Sequence, residues 1–116
     1  MPAAALILEQ PAVDRLDTVT AVLTETFAAV KAAVLEERPV VLLLRDGDLL
    51  GQGDVGAAAV ATGLLGLTRA VALEGAKPGW RVNAVSHRDD DDAATARQAA
   101  EWLAGSELSG QLLRVG

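Results

Sequence analysis

The chain has 116 residues, enough for one domain with a modest core, and a formal net charge of −6 that argues against nucleic acid or an anionic membrane surface as partner. It contains no cysteine, which removes a disulfide framework and a thiolate metal site from consideration. Hydrophobic residues make up 51% of it, yet only two Trp and one Phe are aromatic, with no Tyr at all; this suits close-packed helices on a sheet better than an aromatic-rich binding surface.

The first element expected is a buried strand over 3–8, AAALIL, continuously apolar and stopped by Glu9-Gln10-Pro11. A helix follows over 14–37, with Asp14 as N-cap and Asp17 completing a weak capping box. Leu16, Val19, Leu23, Phe27, Val30 and Val34 form its main apolar stripe, and Ala21, Ala28, Ala32 and Leu35 a second. A helix with two apolar stripes is buried on two sides, and in so short a chain one side can belong to a neighbour. Arg38-Pro39 ends it. Residues 40–44, VVLLL, are the clearest strand, five aliphatic residues covered on both faces.

A loop over 46–53 leads to a second long helix, 54–77, started by the Asp54 carboxylate and ended by Lys77-Pro78-Gly79. Gly63, Gly66, Ala59 and Ala70 form a small-residue stripe on it, suited either to another helix or to close packing on its own sheet. Residues 80–85 alternate and branch like a short strand, counted as 81–85. His87-Arg88 then runs into Asp89-Asp90-Asp91-Asp92, ahead of a helix over 93–104 and a last strand over 112–115. Trp80 and Trp102 are both expected in the core or at its edge rather than as recognition residues. No signal peptide is legible and no run is read as long enough to span a bilayer, so the expected address is cytoplasmic.

Two patterns invite chemistry. Gly51-Gln52-Gly53-Asp54-Val55-Gly56 fits the G-x-G-x-x-G spacing of dinucleotide sites, with Glu74 downstream as an acidic partner for a ribose. Against it, the glycines begin several residues beyond the strand, and Asp54 sets a negative charge where a pyrophosphate would bind. A permissive turn is the reading adopted. His87 with the four aspartates supplies ligands for a hard cation, but consecutive carboxylates lack the alternating spacing of a calcium loop, so a solvated loop that caps the next helix is preferred. No cofactor and no metal is expected.

GLLGLTRAVALE followed by RVNAVS resembles the active-site helix and next strand of short-chain dehydrogenases, and Trp102-Leu103-Ala104, Ser106 and Gly110-Gln111-Leu112-Leu113-Arg114-Val115 resemble that family's last helix and strand. The resemblance implies a truncated Rossmann-like α/β domain of about four parallel strands, equivalent to the second half of such an enzyme. It also implies lost catalysis. The family's tyrosine and lysine fall on Ala57 and Ala61, its serine in the region of Leu44, and its asparagine on Val22. None of these can transfer a proton. A similar pattern belongs to the degenerate, non-catalytic domain of large bacterial 3-oxoacyl-carrier-protein reductases. Because the family dimerises through the two corresponding helices, the resemblance implies a homodimer through 14–37 and 54–77, or a heteromer with a catalytic dehydrogenase. The alternative expectation is a nucleotide or acyl-CoA binder using the Gly51–Gly56 loop.

Overall fold

The computed structural model describes residues 4–116; Ala3, the first residue of the expected opening strand, lies outside them. Four parallel strands form one sheet in the order β1 (Leu6–Glu9), β2 (Val40–Arg45), β3 (Val82–His87), β4 (Leu112–Val115). Between them run α1 (Val19–Leu35), the single-turn α2 (Asp46–Leu49), α3 (Val55–Glu74) and α4 (Ala93–Ala104). This is an α/β arrangement of a small Rossmann-like domain.

Strand parity decides which helix covers which face. Val40, Leu42 and Leu44 of β2, with Val82 and Ala84 of β3, point to one side, where Val30, Ala33 and Val34 of α1 and Val60, Leu64 and Val71 of α3 close over them. Val41, Leu43 and Val85 point to the other side and meet Ala96, Ala100, Leu103 and Ala104 of α4. Both faces of β2 are therefore buried, which is why it reads as an unbroken aliphatic run. β1 and β4 are the two edges.

Element boundaries depart from the sequence reading for local reasons. Asp14 caps nothing: a 3-10 turn over Leu16–Thr18 precedes α1, and the Asp17 carboxylate is held by the Arg15 guanidinium at 3.1 and 2.7 Å instead of closing a capping box. At the other end, Arg38 N–H donates to the Ala33 carbonyl and Glu37 N–H to that of Val34, the paired bonds of a Schellman stop that ends α1 before Arg38-Pro39 is reached. Helix α3 starts where expected, the Asp54 carboxylate accepting the Ala57 N–H at 3.0 Å, but stops at Glu74. The Gly75 carbonyl is taken by the N–H groups of Gly79 and Trp80, both at 2.9 Å, and Lys77-Pro78-Gly79 lies in the turn so formed.

The third strand is displaced towards its C-terminal end. Trp80 and Arg81 stay outside it and His87 enters it, because the register is set by pairing with 40–45 of β2. The expected loop over 46–53 contains the helical turn α2 directly after β2. Trp80 is half-buried against the core, as expected, whereas Trp102 is 65% exposed on the outer side of α4 and covers no core edge. Leu16–Leu35 and Val55–Glu74 are each long and apolar enough to cross a bilayer by length and composition, which corrects the expectation that no run is; the inward side of α3 is part of the core just described.

Candidate functional site

The carboxyl ends of the strands are where open α/β sheets place their ligands. In this chain that edge carries two polar clusters. Gln10, just past β1 and only 5% exposed, donates from Nε2 to the Asp48 carboxylate at 2.9 Å and accepts the Arg45 N–H at 2.9 Å; Arg45 Nε donates to the same carboxylate at 2.9 Å. One strand further on, Asp46 accepts from Arg114 Nε at 2.9 Å and from the buried Ser86 hydroxyl at 3.2 Å. Each carboxylate is thus matched by a guanidinium and a neutral donor, so its charge is compensated where it is shielded from water. The clusters tie α2 to the ends of all four strands. Sequence reasoning missed them, since apart from the Arg45–Asp48 pair they join residues 35 to 68 positions apart.

The four positions that the resemblance assigns to catalysis are aliphatic, and three lie in or against the core. Leu44 and Ala61 are fully buried, and Val22 packs against the cluster over the α1 and α3 face. Ala57 is half-buried in the first turn of α3, with its carbonyl 3.5 Å from Gln10 Nε2. None of these side chains can give or take a proton.

The glycine-rich segment does not have strand-turn-helix geometry. Helix α2 intervenes after β2, Gly51 takes a left-handed φ of 70°, and Gly56 is buried inside α3, where an added Cβ would meet Val13 Cγ1 at 3.3 Å. One first-turn N–H of α3 is already used by Asp54. Glu74 sits at the far end of that 20-residue helix, about 30 Å from the glycines at 1.5 Å of rise per residue. It therefore cannot serve a ribose bound there.

Asp90–Asp92 form a 3-10 turn in front of α4, and neither Asp89 nor Asp92 makes a side-chain cap bond, so the aspartates favour the helix dipole without capping it as expected. His87 Nδ1 lies 3.2 Å from the Asp89 carbonyl. Among the described residues no three His, Asp or Glu side chains converge into a metal-binding group.

The remaining feature is a surface. Turning away from the sheet, α1 presents Ala21, Thr24, Ala28, Ala32 and Leu35, and α3 presents Val55, Thr62, Gly66, Ala70 and Leu73, all exposed, Leu35 at 63% and Leu73 at 79%. The small-residue stripe divides between two roles. A Cβ on Gly63 would stand 2.9 Å from Leu23 Cδ2, so this glycine lets α1 and α3 of the same chain approach, whereas a Cβ on Gly66 would meet nothing within 4 Å. Nothing among the described residues covers the second apolar stripe of α1. Compared with known proteins, the chain matches no family model, and no curated protein matches it.

Proposed function

We propose that the chain is a non-catalytic protein built like the second half of a short-chain dehydrogenase, and that it acts as a structural or interaction subunit dimerising through the outward faces of α1 and α3. The observation that carries the reading is the exposed two-helix face: small residues along its middle, Leu35 and Leu73 standing out at one end, and open space over Gly66. Apolar patches of this kind on a soluble domain usually mark association, and small residues let helix backbones approach closely. A second copy of the chain is the occupant favoured, with a catalytic dehydrogenase as the heteromeric variant of the same idea. The aliphatic residues at Val22, Leu44, Ala57 and Ala61, in a chain without tyrosine, support the absence of the family reaction. A cytoplasmic address belongs to the same proposal; fractionation with the soluble pool tests it.

Light scattering across a concentration series, with and without NADPH, tests the assembly. The wild type is expected to give a dimer mass indifferent to the nucleotide. Gly66→Glu, which has room in the isolated chain, is expected to give a monomer with an unchanged circular-dichroism spectrum. A wild-type monomer at high concentration that retains no dehydrogenase on co-purification would sink the reading. A mass or melting temperature that responds to NADPH, and stops responding in Gly53→Asp, would replace it with nucleotide binding through the Gly51–Gly56 loop.

A further inference from the structure

At the end of the sheet opposite the polar clusters, the segments entering β2 and β3 enclose a cavity of about 280 Å³ lined by Val34, Glu37, Arg38, Pro39, Pro78, Gly79, Trp80 and Arg81. Two of its walls are arginines. Each is half-buried, and neither has a carboxylate within ion-pair distance among the described residues, although the chain as a whole carries an excess of acids. Each is also anchored: Arg38 Nε donates to the Ala4 carbonyl at 2.8 Å, and one Arg81 terminal nitrogen donates to the Ser106 carbonyl at 2.7 Å. A guanidinium has five N–H donors, and among the described residues each of these side chains is held by one such bond.

We propose that this cavity binds a small oxyanion, a phosphate or carboxylate group carried by a compact organic molecule. Half-buried cations without counter-charges raise the local potential and attract an anion to complete them, and arginine forks match the planar or tetrahedral oxygens of such groups. Positions already fixed by backbone carbonyls lose little side-chain freedom on binding. Glu37 also lines the cavity, and its negative charge opposes an anion and sets the affinity below what two arginines alone would give. The site is separate from the α1 and α3 face and does not depend on the assembly proposed for it.

Trp80 lies in the wall and reports occupancy, while Trp102 is remote on α4, so fluorescence is read in a Trp102→Phe background. Inorganic phosphate, citrate and phenyl phosphate are titrated at constant ionic strength against a chloride control. The expected result is a saturable change in Trp80 emission, half-complete at about 1 mM or below for the best probe and absent with chloride. Arg38→Gln or Arg81→Gln weakens it about tenfold, the loss of one charge-assisted hydrogen bond. Glu37→Gln tightens it, and Arg69→Gln on the exposed side of α3 leaves it unchanged. Should a Gln variant melt early because the tie to Ala4 or Ser106 is lost, the Lys variants, which keep the charge but lose the fork, are read instead and are expected to weaken binding of all three probes. No saturable response to any probe, a response equalled by chloride, or undiminished affinity in folded arginine variants overturns the proposal. Phosphate binding without citrate binding assigns the phosphate group as ligand; the reverse assigns a carboxylate.

Discussion

Gly75 has no room for a side chain, since a Cβ there would stand 2.5 Å from both Cβ and Cε3 of Trp80. The contact involves the root of the indole rather than a flexible tip, so neither residue can yield without moving the turn that ends α3. Gly75→Ala is expected to lower stability by about 3 kcal/mol, the upper end of the overpacking range, seen as a lower denaturant midpoint with an unchanged slope. Glu37 presents the opposite case. It is the one described non-glycine residue with positive φ, at 60°, and occupies the position of the Schellman stop where glycine is preferred. Glu37→Gly is expected to raise stability by about 1 kcal/mol, because relief of the left-handed strain outweighs the added freedom of the unfolded chain. An unchanged or lower midpoint would mean that the carboxylate makes a contact that offsets the strain. The buried amide of Gln10 had no signal in the sequence beyond a polar residue between a strand and a proline. Its importance comes from Asp48 and Arg45, which only the pairing of β1 with β2 brings to it.

At the scale of elements, the clearest periodic signals survived and the ends moved. Strand β4 and helix α4 lie at the expected 112–115 and 93–104, and α3 begins at its expected cap. Helix starts are legible when a single side chain determines them. Asp54→Ala should cost about 1 kcal/mol of stability and increase amide exchange in the first turn of α3, leaving its last turn unaffected. Where two local bonds compete, the outcome was not legible: Asp17 was available to Arg15 as well as to a helix terminus, and the guanidinium won. The second apolar stripe of α1 was visible as a pattern, but the pattern could not say whether a second layer of the same chain would cover it.

For the molecule as a whole, one sheet is covered by two long helices on one face and a single helix on the other, and among the described residues nothing covers the outer side of the two-helix layer, where small and apolar residues stand with Thr24, Lys31, Thr62 and Arg69. If that layer closes on a second copy, folding and association are linked, and the melting temperature must rise with protein concentration. Calorimetry over a hundredfold dilution should show this dependence in the wild type and lose it in both Gly66→Glu and Ala28→Glu, whose substituted positions are exposed on α3 and α1. A concentration-independent wild-type transition would leave the exposed leucines without the partner proposed for them.

The sequence by itself determined the α/β class, the number of strands and helices that carry the core, the acidic and cysteine-free chemistry, and the absence of any tyrosine hydroxyl. These follow from composition, from hydrophobic period and from single capping residues, all of which act over a few positions along the chain. Tertiary structure alone decided that Gly63 faces Leu23 while Gly66 faces open space, that Trp102 is exposed, that Gln10 meets Asp48 and Ser86 meets Asp46, and that Arg38 and Arg81 line one cavity. The physical reason is distance along the chain. Parallel strands place residues far apart in sequence side by side, and which of them meet depends on a register that no single segment contains.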